Sequence, residues 1–421
     1  MIKKSFGIVF LAAIIGTLFM WLVYLLPTDA MAENVIDSKQ VLKEKDDTDA
    51  LLDGAYWKVY DRNTNIIMLY EVIFPGTGDA FYDALAVPTY NFIDDWMQDW
   101  SECITEYASE REIEEDTLTY ARYWHGYLVF LKPLFLFMNL AEIYHLVAIL
   151  MLALFVANTY LYYKKLGNYW IAYVVMVFMM NLIRMVQSFQ LLSVFAIMQL
   201  TLFMVLYFDK WKKEQVVYLF VCDGILIAFF DFLTYPLVAC VIPLLTYYLL
   251  HKKEPLKDSF IEAFKQGIAF FFGYAGMWFM KWGIATLFTS ENIIMDAINS
   301  VTHRIGVNDA ITSENTYSDV SIAIAIGRNW TSFFNTQNLV LLCLISFVFV
   351  ILLCIYRKKL CFDKEIFLVC ALISLLPFLW ISVLSNHAAL HPHLEWRNFA
   401  IVLFSGVVFV ISLFQNVKKG K

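Results

Sequence analysis

The sequence predicts an all-α polytopic membrane protein of about ten transmembrane helices with a large first extracytoplasmic loop. Three observations lead there. Of 421 residues, 60% are apolar and only 16% charged, at a mean hydropathy of +0.62. Apolar runs of about 20 residues, long enough to cross a bilayer as helices, recur along the chain between short basic turns. These runs are rich in Phe, Leu, Ile and Met and lack the polar alternation of a barrel strand.

The first run, Phe6–Leu26, comes after Lys3-Lys4. A secretory leader would carry an apolar core of roughly 7–15 residues. This one is longer, so residues 1–26 read as an uncleaved anchor, and either reading exports the acidic segment behind it. Residues 27–126 form that first loop and hold 22 Asp and Glu against 7 Lys and Arg, a net of −15 in a chain of net −7. Residues 127–289 hold the next block of spans, led by 128–140, whose apolar run is interrupted by Lys132-Pro133 and fits a helix lying in the interface. Spans are expected near 141–163, 169–186, 189–208, 215–231, 233–250 and 264–289. A second outer loop, 290–336, precedes the last spans near 337–356, 366–385 and 398–414, within 337–421.

Lys3, Lys4, Lys164, Lys165, Lys210, Lys252, Lys358, Lys359 and Lys418 then fall on one side. By the positive-inside rule that side is the cytoplasm, and both termini lie in it. An isoelectric point near 5.5, with no Lys/Arg-rich block, gives no nucleic-acid partner. The seven cysteines show neither a disulfide framework nor zinc spacing. The cytoplasmic turns lack a Gly-rich phosphate loop, so no nucleotide site is expected there. No internal repeat supports an inverted-repeat transporter.

Chemistry-bearing residues gather in the outer loops. Asp61 stands in Asp61-Arg62-Asn63-Thr64-Asn65, just ahead of Ile66-Ile67-Met68-Leu69. A carboxylate near the membrane plane can act as a general base, its pKa raised by burial and lowered by the neighbouring Arg. Asp53, Glu71, Asp79, Asp83, Asp94, Asp95 and Asp99 compete with it, and the ordinary reading of each is a solvated acid. Arg122, Tyr123, Trp124 and His125 close the first loop. Their bland reading is an interfacial anchor; the functional one is a ring platform for a sugar with a cation for a phosphate. His303-Arg304 is a second cationic pair. In the last outer loop His387, His391 and His393 precede Trp396-Arg397, where a metal, an anion or an ordinary loop are all open and Pro392 breaks a helical presentation. Asp223 lies in mid-span and Asp231 at the outer end of the same run, where ionisable groups are functional candidates.

Taken together, these residues resemble the C-type (GT-C) superfamily of integral membrane glycosyltransferases, and more narrowly polytopic proteins of bacterial capsule and exopolysaccharide clusters. The resemblance rests on Met20–Thr28 closing the first span and on Tyr120–Tyr127 with Leu128–Pro133. Phe232–Pro236, Thr302–Arg304 and Asn386–Arg397 add to it. It covers nearly the whole chain in order, through short motifs. That group shows a pattern like Asp-Asn-x-Thr-Asp ahead of a Met-Leu; here Asp61 and Thr64 match and Asn65 replaces the second Asp. The resemblance implies a bacterial cell-membrane enzyme that moves a sugar from a polyprenyl-phosphate donor to a glycan acceptor on the outer face. Its lipid tail would lie among the spans and membrane lipids. Asp61 would serve as base, and Arg122, Tyr123, Trp124, His125, Asp231, His303, Arg304, His387, His391 and Arg397 would serve in substrate binding. No cofactor is required by this scheme, although a divalent metal is compatible with it. A lipid-linked glycan flippase, an O-antigen polymerase-like protein and a non-catalytic partner of polysaccharide assembly remain open alternatives.

Overall fold

A computed structural model describes residues 2–43, 55–58, 62–90, 100–110, 117–252, 255–305 and 321–414. They are almost entirely helical. In chain order the helices are α1 (Ile2–Tyr24), α2 (Asp29–Ile36), α3 (Lys39–Lys43), α4 (Arg62–Ile73), α5 (Ala80–Ala86), α6 (Trp100–Glu110), α7 (Leu128–Phe135) and α8 (Leu140–Leu166). Next come α9 (Trp170–Met179), α10 (Leu182–Gln187), α11 (Phe189–Tyr207), α12 (Lys213–Phe230), α13 (Leu237–Leu250), α14 (Leu256–Phe288) and α15 (Ile293–Arg304). The chain ends with α16 (Ile322–Phe333), α17 (Thr336–Tyr356), α18 (Lys364–Ser374), α19 (Leu376–Val383), α20 (Ser385–Leu390), α21 (Pro392–Glu395) and α22 (Ala400–Leu413).

Among the described residues, six helical stretches are long and apolar enough to cross a membrane: Ile2–Tyr24, Leu140–Met179, Phe189–Tyr207, Thr336–Lys359, Lys364–Val383 and Pro392–Leu413. The second of these is a hairpin rather than a rod. Gly167, at φ +62, ends α8, and the return brings the Phe178 ring to 6.2 Å from Phe155 and stacks Tyr173 on Tyr162. The spans expected at 215–231, 233–250 and 264–289 correspond to α12, α13 and α14, α13 starting only at Leu237 after a turn, but fall outside those six. Helix α12 carries Lys213, Glu214 and Asp223, α13 has only 14 residues, and α14 carries Lys265, Gln266 and Lys281.

Helix α1 shows how the pattern becomes packing. Ser5, Val9, Ala13, Gly16, Met20 and Val23 recur every three or four residues and are buried, while Phe6, Phe10, Leu11, Ile14 and Leu18 point outward. The narrow side meets α14 and α12, and the wide side is left for an apolar solvent. The tightest contact joins α12 to α14. A Cβ on Gly224 would strike the Phe270 carbonyl, and one on Gly273 would strike that of Val221. The two backbones therefore touch, which only glycine permits.

The segment after α1 builds a small body of its own. Ile66, Leu69, Val72 and Ile73 of α4 are buried against α2 and α6, and Asp79 caps α5 by accepting from the Phe81 and Tyr82 amides at 3.0 and 3.1 Å. A two-stranded antiparallel ribbon pairs β1 (Pro88–Tyr90) with β2 (Thr117–Thr119), Thr89 opposite Leu118. From β2 the chain runs directly into the candidate site.

Candidate functional site

The segment Tyr120–Tyr127 spends its hydrogen bonds on other elements, which pins it. The Tyr120 amide donates to Ala86 O at 2.9 Å, and the Gly126 amide to Phe229 O at 2.9 Å. Trp124 Nε1 donates to Met277 O at 2.8 Å, and Trp282 Nε1 to Arg122 O at 3.0 Å. His125 is held at φ +53, a conformation non-glycine residues adopt only when their surroundings fix it. Around it the rings of Tyr123, His125 and Tyr127 lie 5.0–5.2 Å from that of Phe232, in the turn after α12, and Tyr120 stacks on the same ring.

Beside this knot lies a cavity of about 270 Å³. Its walls come from α14 (Tyr274, Trp278, Trp282), α15 (Ala297, Val301), α19 (Trp380, Val383) and the strained Leu233, at φ +70. The lining is overwhelmingly apolar, with two guanidiniums, Arg122 and Arg304. Arg122 Nη1 contacts both oxygens of Asp296 at 2.8 Å. Burial works against its charge, but Tyr123 and Asp296 outweigh that and hold its pKa above the usual range. Arg304 donates to the Tyr123 hydroxyl, and its guanidinium lies 5.6 Å from the Tyr123 ring centre.

Behind Leu233 the last loop closes the wall. His387 Nε2 donates to Leu233 O at 2.9 Å, so the neutral ring carries its proton there. Burial, then Arg304, hold both neighbouring imidazoles neutral: His387 falls well below the ordinary histidine range and His391 to about 4. Glu395 lies 3.7 Å from His387 and accepts from Trp380 and Asn398. Among the described residues no group of three or more His, Cys, Asp or Glu is placed to hold a metal ion.

The residues singled out in the sequence thus separate. Arg122, Tyr123 and Arg304 line the cavity. Trp124 and His125 are buried beside it and do not line it. Asp231 accepts from the amide and hydroxyl of Thr234, shaping the turn that presents Leu233. His303 offers its carbonyl to Asn386 at 2.8 Å. Arg397 is buried over the Trp396 ring and donates to the His393 carbonyl. Asp61 lies outside the described residues.

The chain matches no family model, no curated protein and no solved structure. The site is therefore read from its own residues.

Several of those had a weak sequence signal or none. Glu71 is fully buried; it accepts from the Tyr127 hydroxyl and lies 3.0 Å from His125 Nδ1. Its position inside the apolar run Ile66–Phe74 was a signal, because a solvated acid has no reason to interrupt such a run. Lys132 is buried too, donating to Val72 O at 2.9 Å; burial lowers its pKa to about 7 against the opposing pull of Glu71 and Asp83. Asp296, the carboxylate that occupies Arg122, sits 174 residues from it, and no local pattern announces such a pair.

Proposed function

We propose that the protein is an integral-membrane glycosyltransferase of GT-C-like architecture, taking a sugar from a polyprenyl-phosphate donor and adding it to a cell-surface glycan. The site lies on the extracytoplasmic face of a bacterial cell membrane crossed about ten times, with both termini in the cytoplasm. One observation carries the reading: an apolar cavity, walled by Trp278, Trp282 and Trp380, contains guanidiniums and little other polarity. An isoprenoid chain with a phosphate head has the same division of chemistry. Phe279 and Val383, two of the lining residues, are 65% and 63% exposed, which suits entry from lipid rather than water.

In the proposed reaction Asp61 takes the proton of an acceptor hydroxyl, whose oxygen bonds to the sugar anomeric carbon. The bond from that carbon to the phosphate oxygen breaks, and the lipid phosphate leaves with the electron pair. An arginine at the phosphate stabilises the charge that develops on it.

The test is purified protein in liposomes with polyprenyl-phosphate sugars and a glycan acceptor. Wild type should release polyprenyl phosphate and form a glycosidic bond, and Asp61→Asn should lose both. Movement of intact lipid-linked sugar across the bilayer without glycosidic chemistry would replace this reading with a flippase.

A further inference from the structure

We infer that the two cavity arginines have different tasks: Arg304 binds a single lipid phosphate, and Arg122 clasps the first loop to α15. The inference rests on the lipid-phosphate reading of the cavity and narrows its ligand to one phosphate group. Arg122 is already neutralised, since both oxygens of Asp296 lie 2.8 Å from its Nη1. That pair joins the start of Tyr120–Tyr127 to α15, and Thr119 adds a second tie by donating to Glu291 at 3.1 Å. Arg304 has no carboxylate partner within ion-pair distance among the described residues; its hydrogen bond goes to the Tyr123 hydroxyl. The buried acid that feels its field, Glu395, accepts from Trp380 and Asn398 instead. His387 and His391 stay neutral and neither compensate nor add charge. Among the described residues the cavity therefore holds one uncompensated positive charge in an apolar wall. A guanidinium there favours an anion strongly, because water is scarce and its planar donors match phosphate oxygens. One such cation balances the single negative charge of a lipid phosphodiester, the form of a polyprenyl-phosphate sugar, and leaves a diphosphate with excess buried negative charge.

The test uses dodecyl phosphate, dodecyl diphosphate and dodecanol against protein in nanodiscs, with Kd read by thermophoresis. Wild type should bind dodecyl phosphate about tenfold or more tighter than dodecanol. Arg304→Gln should bring the phosphate down to the level of the alcohol, and Arg304→Lys should recover part of the loss. Arg122→Gln should change dodecyl phosphate binding by less than about threefold. Asp296→Asn should release the second guanidinium and shift preference toward dodecyl diphosphate by about tenfold. Unchanged dodecyl phosphate binding in Arg304→Gln overturns the inference, as does an equal loss in Arg122→Gln. Near-wild-type melting temperatures confirm that each variant is folded, and the charge-preserving and Asp296 variants keep the test decisive if Arg304→Gln is not. Phosphate binding through Arg304 without release of polyprenyl phosphate in the transfer assay would sink the transferase reading and leave this one standing. Transfer with unaltered binding in Arg304→Gln would do the reverse.

Discussion

Asn65 makes three hydrogen bonds at once. Its Nδ2 donates to Tyr144 Oη at 2.9 Å and to Gln187 O at 3.0 Å, while Oδ1 accepts the Phe189 amide at 3.0 Å. It thereby ties α4 to the junction of α10 and α11. A carboxylate at this position would still accept from Phe189, and the Tyr144 hydroxyl could turn to donate to it, but the Gln187 carbonyl would face an oxygen. Asn65→Asp should therefore cost about 1–3 kcal/mol, read as a lower denaturation midpoint in detergent. A variant that gains transferase activity at unchanged stability would instead mean that the residue stands in for a lost acid. Lys132 gives a second prediction at this scale. Its folded pKa of about 7 lies below the value of 10.5 of a free lysine, so between those pH values the unfolded chain binds the extra proton. Stability must then rise with pH from about 7 toward 10.5, and the cost of burying the charge is fullest below 7. The melting temperature of wild type relative to Lys132→Met should climb over that window; a flat difference would show that the ammonium keeps its charge.

At the scale of elements, the contact of α12 with α14 governs the site most directly. Helix α12 leads into Phe232 and Leu233, and α14 carries Tyr274, Trp278 and Trp282. Their spacing sets the width of the cavity. Because Gly224 and Gly273 each meet a backbone oxygen of the other helix, no rotamer change can make room for a methyl group. Gly224→Ala and Gly273→Ala should each cost about 1–3 kcal/mol or more, and the surviving fold should bind dodecyl phosphate less tightly. Gly283→Ala, on the same helix with open space around it, is the control and should leave both unchanged. The opposite wall depends on the Leu233 turn, where Asp231 and Thr234 below and His387 beside it hold a leucine at positive φ. Strain of this kind persists only where several contacts enforce it.

For the whole molecule the decisive question is which side each loop occupies. Thr117, in the ribbon of the first loop, and Lys358, after α17, belong to opposite sides in the proposed topology. With the more accessible Cys103, Cys222, Cys343, Cys354 and Cys361 replaced by serine, single cysteines at the two positions should label from opposite faces of sealed cells. Labelling of both from one face would remove the orientation and, with it, the extracytoplasmic site. Helix α17 bears on the same scale. Its Leu339, Val340, Leu344, Phe347 and Val348 are exposed, and it makes only slight contact with α9. In a bilayer such a surface is solvated by lipid tails.

The sequence by itself determined the helical, multi-pass character of the chain, because apolar runs of bilayer length record their solvent in composition alone. It also marked Arg122, Tyr123 and Arg304 as candidates at loop ends, alongside the plainer reading of Tyr123 and its neighbours as an interfacial anchor. Glu71 was half legible, as an acid within an apolar run. Tertiary structure decided the rest. It set Asp296 against Arg122 and, among the described residues, set no carboxylate against Arg304, so that two arginines alike in sequence differ in charge balance. It also gave Asn65 a task that only an amide performs, and placed His125, Trp124 and Arg397 in the supporting structure instead of the cavity lining. The physical reason is that composition and spacing report the average environment of a segment, whereas the partner of a single polar atom is set by elements that meet only after folding.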